Sequence, residues 1–331
     1  MSRPILLPFC ALAAAALLTA CGGGGGDAGA GSGRLPLSAD NYVRAGQEAL
    51  AAGLQFEEST ELIVGAQVVR RSDASLLNVV LAALRSAGAP ALPATATGVV
   101  ITSSVDCDNA GGRYTLASND ANSNNRYDAG DSLTFTFSNC TLDGDTANGI
   151  AVITIKSLSG DLNSDVYNGS FGVTMTALAL SGASGRYTGD GQFDVTLVGT
   201  AAHTGSETIS VGSFKSVAVF GSQTSSRTLT NFTVNETHVP DGSGERSSVR
   251  FEGTVATTGF DDRSVVAATA SPFVTGAGAR YPSSGQALVT GLGSSALRVT
   301  VVDGSTVRFE LDANGDGVYE ATATRAWSEL L

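Results

Sequence analysis

Basic residues are scarce in this chain. Nineteen Lys and Arg stand against thirty-one Asp and Glu, a net charge of −12 over 331 residues. So acidic a surface repels phosphate backbones, which argues against a nucleic-acid partner, while the same carboxylates suit divalent cations. Aromatics are also few, at 6% with a single Trp, from which the two aromatic girdles of an integral outer-membrane barrel are hard to supply, so that architecture is the weakest of the alternatives. There are only two histidines, His203 and His238, each in a Thr/Ser-rich stretch with no nucleophile motif beside it. No H-E-x-x-H, P-loop or strand–helix G-x-G-x-x-G is present. Gly182-Ala183-Ser184-Gly185 falls one residue short of a G-x-S-x-G elbow. No catalytic residue is assigned. Paired carboxylates acting on a glycosidic bond leave no local signature, so a carbohydrate-active enzyme is kept as an alternative.

Long apolar runs are missing too. The apolar stretch from Ile5 to Leu18 is broken by Pro8 and is shorter than the ~20 residues of a spanning helix. Preceded by Arg3 and followed by small residues, it has the pattern of a secretory signal. It ends at Leu18-Thr19-Ala20-Cys21, which resembles the lipobox of bacterial lipoproteins. In that family the Cys sulfur receives diacylglycerol and a dedicated peptidase cuts before it. The resemblance implies a signal peptide over residues 1–20 and an acylated (palmitate-type) Cys21. Gly22, in place of the inner-membrane retention Asp, implies the outer membrane, on its periplasmic face or at the cell surface. Lipid chains would make the protein anchored rather than spanning. Residues 21–37 then form a Gly-rich tether, and residues 22–33 as a flexible coil reach only about 20 Å. Loss of Arg3 with the signal would bring the charge to −13.

Four cysteines remain to be placed. Cys10 leaves with the signal and Cys21 carries lipid, so Cys107 and Cys140 are left together in an oxidising compartment, where they are expected to pair.

The chain then divides in two. Residues 38–93 read as a helical segment. Residues 38–53 carry Ser38 as N-cap, Asp40 in the first turn and Gly53 as a stop. Residues 57–71 fit helix or strand. Residues 73–87 place Leu76, Leu77, Val80, Leu81 and Leu84 on one helical face, and Ala87–Pro93 ends the segment. From residue 94 to 331 the period becomes two. Leu133, Phe135 and Phe137 alternate with Thr134, Thr136 and Ser138, and the same holds around Val249–Val255, Leu297–Val301 and Val307–Leu311. Such strands belong to antiparallel sheets with one wet face, and Gly, Asn and Asp clusters supply the turns. No βαβ alternation is visible. The expected fold is mainly β, an antiparallel sandwich or barrel of about a dozen strands, with a short helical N-terminal segment. Trp327 suggests an end strand or short terminal helix packed on the sheet. RYTGDGQFDVT at 186–196 and RYPSSGQALVT at 280–290 share residues at the same offsets, 94 positions apart. Two readings stay open: a duplication, about 149–242 and 243–331, or chance similarity in β sequence of low complexity.

Two loops could carry chemistry. Asp312, Asn314, Asp316 and Glu320 stand at positions 1, 3, 5 and 9 of a loop with Gly317 at position 6 and Val318 at position 7. Calcium takes six to eight oxygens, and alternating carboxylates and amides on a tight turn suit it. An EF-hand would want Glu at position 12, where Ala323 stands. Strand-like flanks make the loop resemble instead the nine-residue calcium loops between strands of integrin-type propellers, which implies that the Val318 carbonyl joins the four side chains. A second copy, with fewer carboxylates, has Asp120, Asn122, Asn124 and Asp128 at the same positions, Arg126 at position 7 and Asp131 at position 12. It lies between the two cysteines. A polar hairpin without an ion is the competing reading for both. Bound calcium would be structural.

The expectation is a membrane-anchored envelope lipoprotein with a structural or binding role. One alternative is a carrier holding an apolar ligand in a barrel cavity; another is the carbohydrate-active enzyme. Whether a protein, a glycan or an apolar molecule is bound is left open.

Overall fold

A computed structural model describes residues 33–54 and 101–330, apart from 108–110, 125–126, 143–144, 161–165, 183–184, 202–203 and 243. The signal, Cys21, both readings of 57–87, Arg126 and His203 lie outside the described residues.

The alternating pattern is realised as fourteen strands in one antiparallel sheet. In order they are β1 (Ile101–Asp106), β2 (Arg113–Asn119), β3 (Ser132–Leu142), β4 (Asp145–Gly160), β5 (Tyr167–Gly182), β6 (Gly185–Ala201) and β7 (Thr204–Phe220), then β8 (Gln223–Pro240), β9 (Glu245–Thr257), β10 (Ser264–Thr275), β11 (Ser284–Thr290), β12 (Ala296–Asp303), β13 (Thr306–Asp312) and β14 (Ala321–Ala326). Each strand pairs with the next, so the sheet is a pure meander. Among the described residues β1 and β14 do not pair with each other, and the sheet is not closed into a barrel. Of the two architectures expected, the sandwich agrees with the open sheet.

The longest strands are bent along their length. Register shifts interrupt the ladder at Phe137/Cys140, Met175/Leu178, Gln192/Phe193 and Thr230/Thr233, in the β3–β4, β5–β6, β6–β7 and β8–β9 pairings. Asn139, Ala177 and Asn231 sit at these points with φ of 49°, 45° and 47°. A bulge adds a residue to one strand, bends it and strengthens its twist. A row of bulges lets strands of up to 18 residues curl rather than run flat. Between β9 and β10 the interruption is larger, from Val265 to Phe273. There the Thr269 hydroxyl stands in for the missing ladder, accepting from Phe251 N–H at 2.8 Å and donating to Phe251 C=O at 3.1 Å.

The single described helix, α1 (Tyr42–Leu54), packs on β9–β13. It begins later than the sequence pattern predicts. Ser38 acts through its backbone, its carbonyl accepting from Asn41 and Tyr42, while its N–H donates to Asn41 Oδ1. Gly53 lies inside the helix instead of ending it. The reason is space: a Cβ on Gly46 would stand 2.6 Å from Phe309 Cε1, and one on Gly53 2.0 Å from Phe251 Cδ1. The two glycines let the helix backbone rest on the rings. Phe251 is itself stacked between Phe232 and Phe273, with centroids 6.2 and 5.6 Å away. A half-buried ion pair, Arg227 Nη2 to Glu48 Oε2 at 2.6 Å, ties the polar side of α1 to β8. Leu133, Phe135, Phe137, Leu297, Val299, Val307, Phe309 and Leu311 are all buried, as their alternation requires.

At the C-terminus Trp327 begins a short 3₁₀ turn, is fully buried and stacks on Tyr281 at 5.8 Å. Cys107 and Cys140 form a disulfide with Cα atoms 5.3 Å apart. The two similar windows occupy different settings: 186–196 lies wholly in β6, while 280–290 starts in the β10–β11 connection and runs through β11.

Candidate metal centre

Antiparallel succession puts the β9–β10, β11–β12 and β13–β14 connections at one end of the sheet and the β2–β3, β10–β11 and β12–β13 connections at the other. The two Asp/Asn loops therefore belong to opposite ends of the meander, one on β13–β14 and the other on β2–β3.

In the β13–β14 loop, Asp312 is the last residue of β13 and is 5% exposed. Its carboxylate organises the turn. Oδ1 accepts the N–H groups of Gly315 at 2.7 Å and Asp316 at 3.2 Å, and Oδ2 that of Gly317 at 2.8 Å. Asp316 Oδ1 accepts from Val318 N–H, and Glu320 Oε2 from Ala313 N–H, each at 2.8 Å. Gly315 and Gly317 take φ of +78° and +86°, left-handed values that glycine adopts freely. A ligand oxygen from each of Asp312, Asp316 and Glu320 lies within 4.8 Å of the other two, so the three could hold a metal ion. Like charges this close repel by about 1 kcal/mol per pair even in water. Asn314 joins the same network. Its Oδ1 accepts Asp316 N–H at 2.8 Å and its Nδ2 donates to Asp316 Oδ2 at 3.1 Å. The Val318 side chain points outward and is 62% exposed.

Two supports of this loop escape sequence reasoning because they depend on strand register. Arg298 on β12 lies over the Tyr319 ring at 4.2 Å. Its guanidinium is held by the cross-strand partner Glu310, with Nε to Oε2 at 2.9 Å and Nη2 to Oε1 at 3.0 Å. That hydrogen-bonded pairing lowers the Glu310 pKa and raises that of Arg298. Gly315 meets the 3₁₀ turn Leu292–Ser294: a Cβ there would stand 2.6 Å from Ser294 Cβ.

The β2–β3 loop is arranged otherwise. Asp131 is fully buried, and both its oxygens accept backbone amides, from Ala121 at 2.8 Å and Asp128 at 2.7 Å. Asp128 accepts the side-chain amides of Asn122, at 2.7 Å, and Asn124. Asp120 Oδ1 accepts Asn124 N–H at 3.2 Å. Among the described residues only the β13–β14 loop gathers three carboxylates into one cluster. The β2–β3 loop is stapled to β4 by two backbone bonds, Gly130 N–H to the Ile155 carbonyl at 2.8 Å and Ile155 N–H to the Asp131 carbonyl at 2.9 Å.

His238, on the inner side of β8, lies between two carboxylates, Nδ1 2.5 Å from Glu245 and Nε2 3.7 Å from Glu236. Both contacts lie within the β8–β9 hairpin. Comparison of the chain with protein-family models, with curated proteins and with solved structures returns no match in any of the three.

Proposed function

We propose that this chain is a lipid-anchored envelope lipoprotein of the outer membrane, with a structural or binding role, whose β domain is braced by calcium at the β13–β14 loop. The observation that supports the calcium most directly is the convergence of Asp312, Asp316 and Glu320 oxygens within 4.8 Å on a loop already folded around Asp312. Carboxylate oxygens are the ligands a hard cation prefers. Asp312, Asp316 and Glu320 would hold it, with Asn314 and the Val318 carbonyl as further oxygen donors, and the ion would supply charge neutralisation and cross-linking of the loop. The anchor rests on the Leu18–Cys21 sequence. No catalytic step is assigned, and the open sheet lends no support to a carrier with a barrel cavity.

Two measurements test the proposal. The intact mass of protein purified from membranes should show a chain beginning at Cys21 with diacylglyceryl and acyl additions. An unmodified Cys21 refutes the anchor. Millimolar calcium should raise the thermal midpoint over that in chelator, and identical midpoints refute the calcium site.

A further inference from the structure

The N-terminal arm is fastened to one particular place. Ser264 N–H donates to the Gly33 carbonyl at 3.1 Å, Leu35 N–H to the Ser264 carbonyl at 2.8 Å, and Leu292 N–H to the Leu35 carbonyl at 2.9 Å. Leu37 N–H reaches the buried Ser295 hydroxyl at 3.0 Å. The arm therefore emerges beside the Leu292–Ser294 turn, against which Gly315 of the acidic loop is seated. Leu292 and Val318, on these two touching loops, are 55% and 62% exposed, among the most exposed large apolar side chains of the described residues. Val166 and Val302 are similarly exposed but lie on the β4–β5 and β12–β13 sides, at the opposite end, where no chain leads toward Cys21.

We infer that this end of the sheet rests on the lipid surface, with Leu292 and Val318 dipping into its interface. The inference builds on the lipoprotein reading. Gly33 lies only twelve positions after Cys21, a span of about 40 Å at full stretch and about 20 Å as a Gly-rich coil. A tether that short keeps the end from which it emerges nearest the bilayer. Two apolar side chains are too few to hold a protein on a membrane. The lipid supplies the affinity, and Leu292 and Val318 select the orientation. Asp261, Asp262, Asp312 and Asp316 share this end with Arg34 and Arg263. An anionic surface is disfavoured by the acidic excess, so the fitting occupant is a zwitterionic bilayer.

The test uses full-length protein purified with its lipid and placed on phosphatidylcholine vesicles carrying brominated acyl chains, which quench nearby tryptophan. Leu292→Trp, Val318→Trp and, at the opposite end, Val302→Trp are compared. Trp327 is fully buried and gives a constant background. An interfacial side chain sits ~5–10 Å into the boundary, so the added tryptophan at 292 and 318 should lose at least about twice the fraction of its emission lost at 302. Equal quenching at the two ends, or none at 292 and 318 while the protein stays on the vesicles, overturns the orientation and leaves the anchor standing. An intact mass without lipid on Cys21 overturns the anchor itself, and the orientation with it.

Discussion

Gly53, in the last turn of α1, lies against the ring of Phe251 on β9, where a Cβ would stand 2.0 Å from Cδ1. The contact reverses the usual sign of a helix substitution. On propensity alone, Gly→Ala inside a helix gains about 0.8–1 kcal/mol. Here the added methyl must push a ring that is itself stacked on two others, and overpacking of that kind costs about 1–3 kcal/mol. Gly53→Ala should lower the urea midpoint, by the equivalent of a net loss of up to about 2 kcal/mol. Gly46→Ala, facing Phe309, should act in the same direction. A raised midpoint for either would mean that α1 is not seated on these rings.

Much of this fold was legible in the chain. Period-two alternation identified the strand core, because Leu133 to Phe137 and Val307 to Leu311 bury one face and wet the other. The disulfide followed from cysteine bookkeeping. The Asp/Asn loops announced themselves because their ligand residues are local. What stayed hidden depends on contacts distant in sequence. Gly53 looked like a helix stop, since nothing near it mentions Phe251, 198 positions away. Bulges such as the one at Asn231 are set by the neighbouring strand, so strands of 16 to 18 residues were not foreseen as single units. The two acidic loops looked alike, and each folds around a buried Asp that spends both oxygens on local amides, Asp131 in one and Asp312 in the other; only in the second do three carboxylates converge. That difference lies in backbone path rather than in residue spacing.

Thr269 offers a test of the opened ladder between β9 and β10. Its hydroxyl alone serves both the N–H and the C=O of Phe251. Thr269→Val keeps the shape and deletes the hydroxyl. Leaving a buried backbone group unpaired costs about 1–3 kcal/mol, so the denaturant midpoint should fall by that amount with an unchanged slope. Amide exchange at Phe251 should accelerate. Unchanged stability would show that water replaces the hydroxyl.

Reduction of the Cys107–Cys140 bond should matter in proportion to the 33-residue separation it closes. The chain-entropy account assigns such a loop roughly 3–4 kcal/mol. Thermal melts with and without reductant, and of Cys107→Ser with Cys140→Ser, should show comparable losses. Thiol labelling of the unreduced, unfolded protein should leave both cysteines untouched. Labelling of either one contradicts the pairing.

Asp303, in the β12–β13 turn, accepts through one oxygen from the N–H and hydroxyl groups of both Ser305 and Thr306. The Ser305 hydroxyl is the leading cause of a pKa lowered from 3.8 to about 2. A depressed carboxyl stabilises the fold above its unfolded pKa and loses that contribution as pH falls through the folded value. The advantage of the wild type over Asp303→Asn should therefore be constant above about pH 4 and shrink toward pH 2. Thermal midpoints of the two proteins across that range provide the check. A gap that stays constant down to pH 2 would refute the assignment.

Asp312 and Asp316 belong to one acidic cluster but should respond differently to mutation, and the difference separates folding from ion binding. Asp312 accepts three backbone amides and is buried, so Asp312→Ala removes the centre of the turn whether or not calcium is present. Its midpoint should fall in chelator, by the equivalent of about 1–3 kcal/mol. Asp316→Asn keeps an oxygen for Val318 N–H and loses the charge and the exposed acceptor of the Asn314 amide. In chelator it should melt with the wild type, or slightly above it, because three crowded carboxylates have become two. Calcium at a hundred times its dissociation constant would stabilise the wild type by about 2.7 kcal/mol, and Asp316→Asn should forfeit most of that gain. Asp128→Asn, in the loop that gathers no such cluster among the described residues, should leave the calcium response intact. If Asp316→Asn responds to calcium as the wild type does, the ion is bound elsewhere, and the crowding of the three carboxylates is relieved by the Asn314 amide and solvent alone.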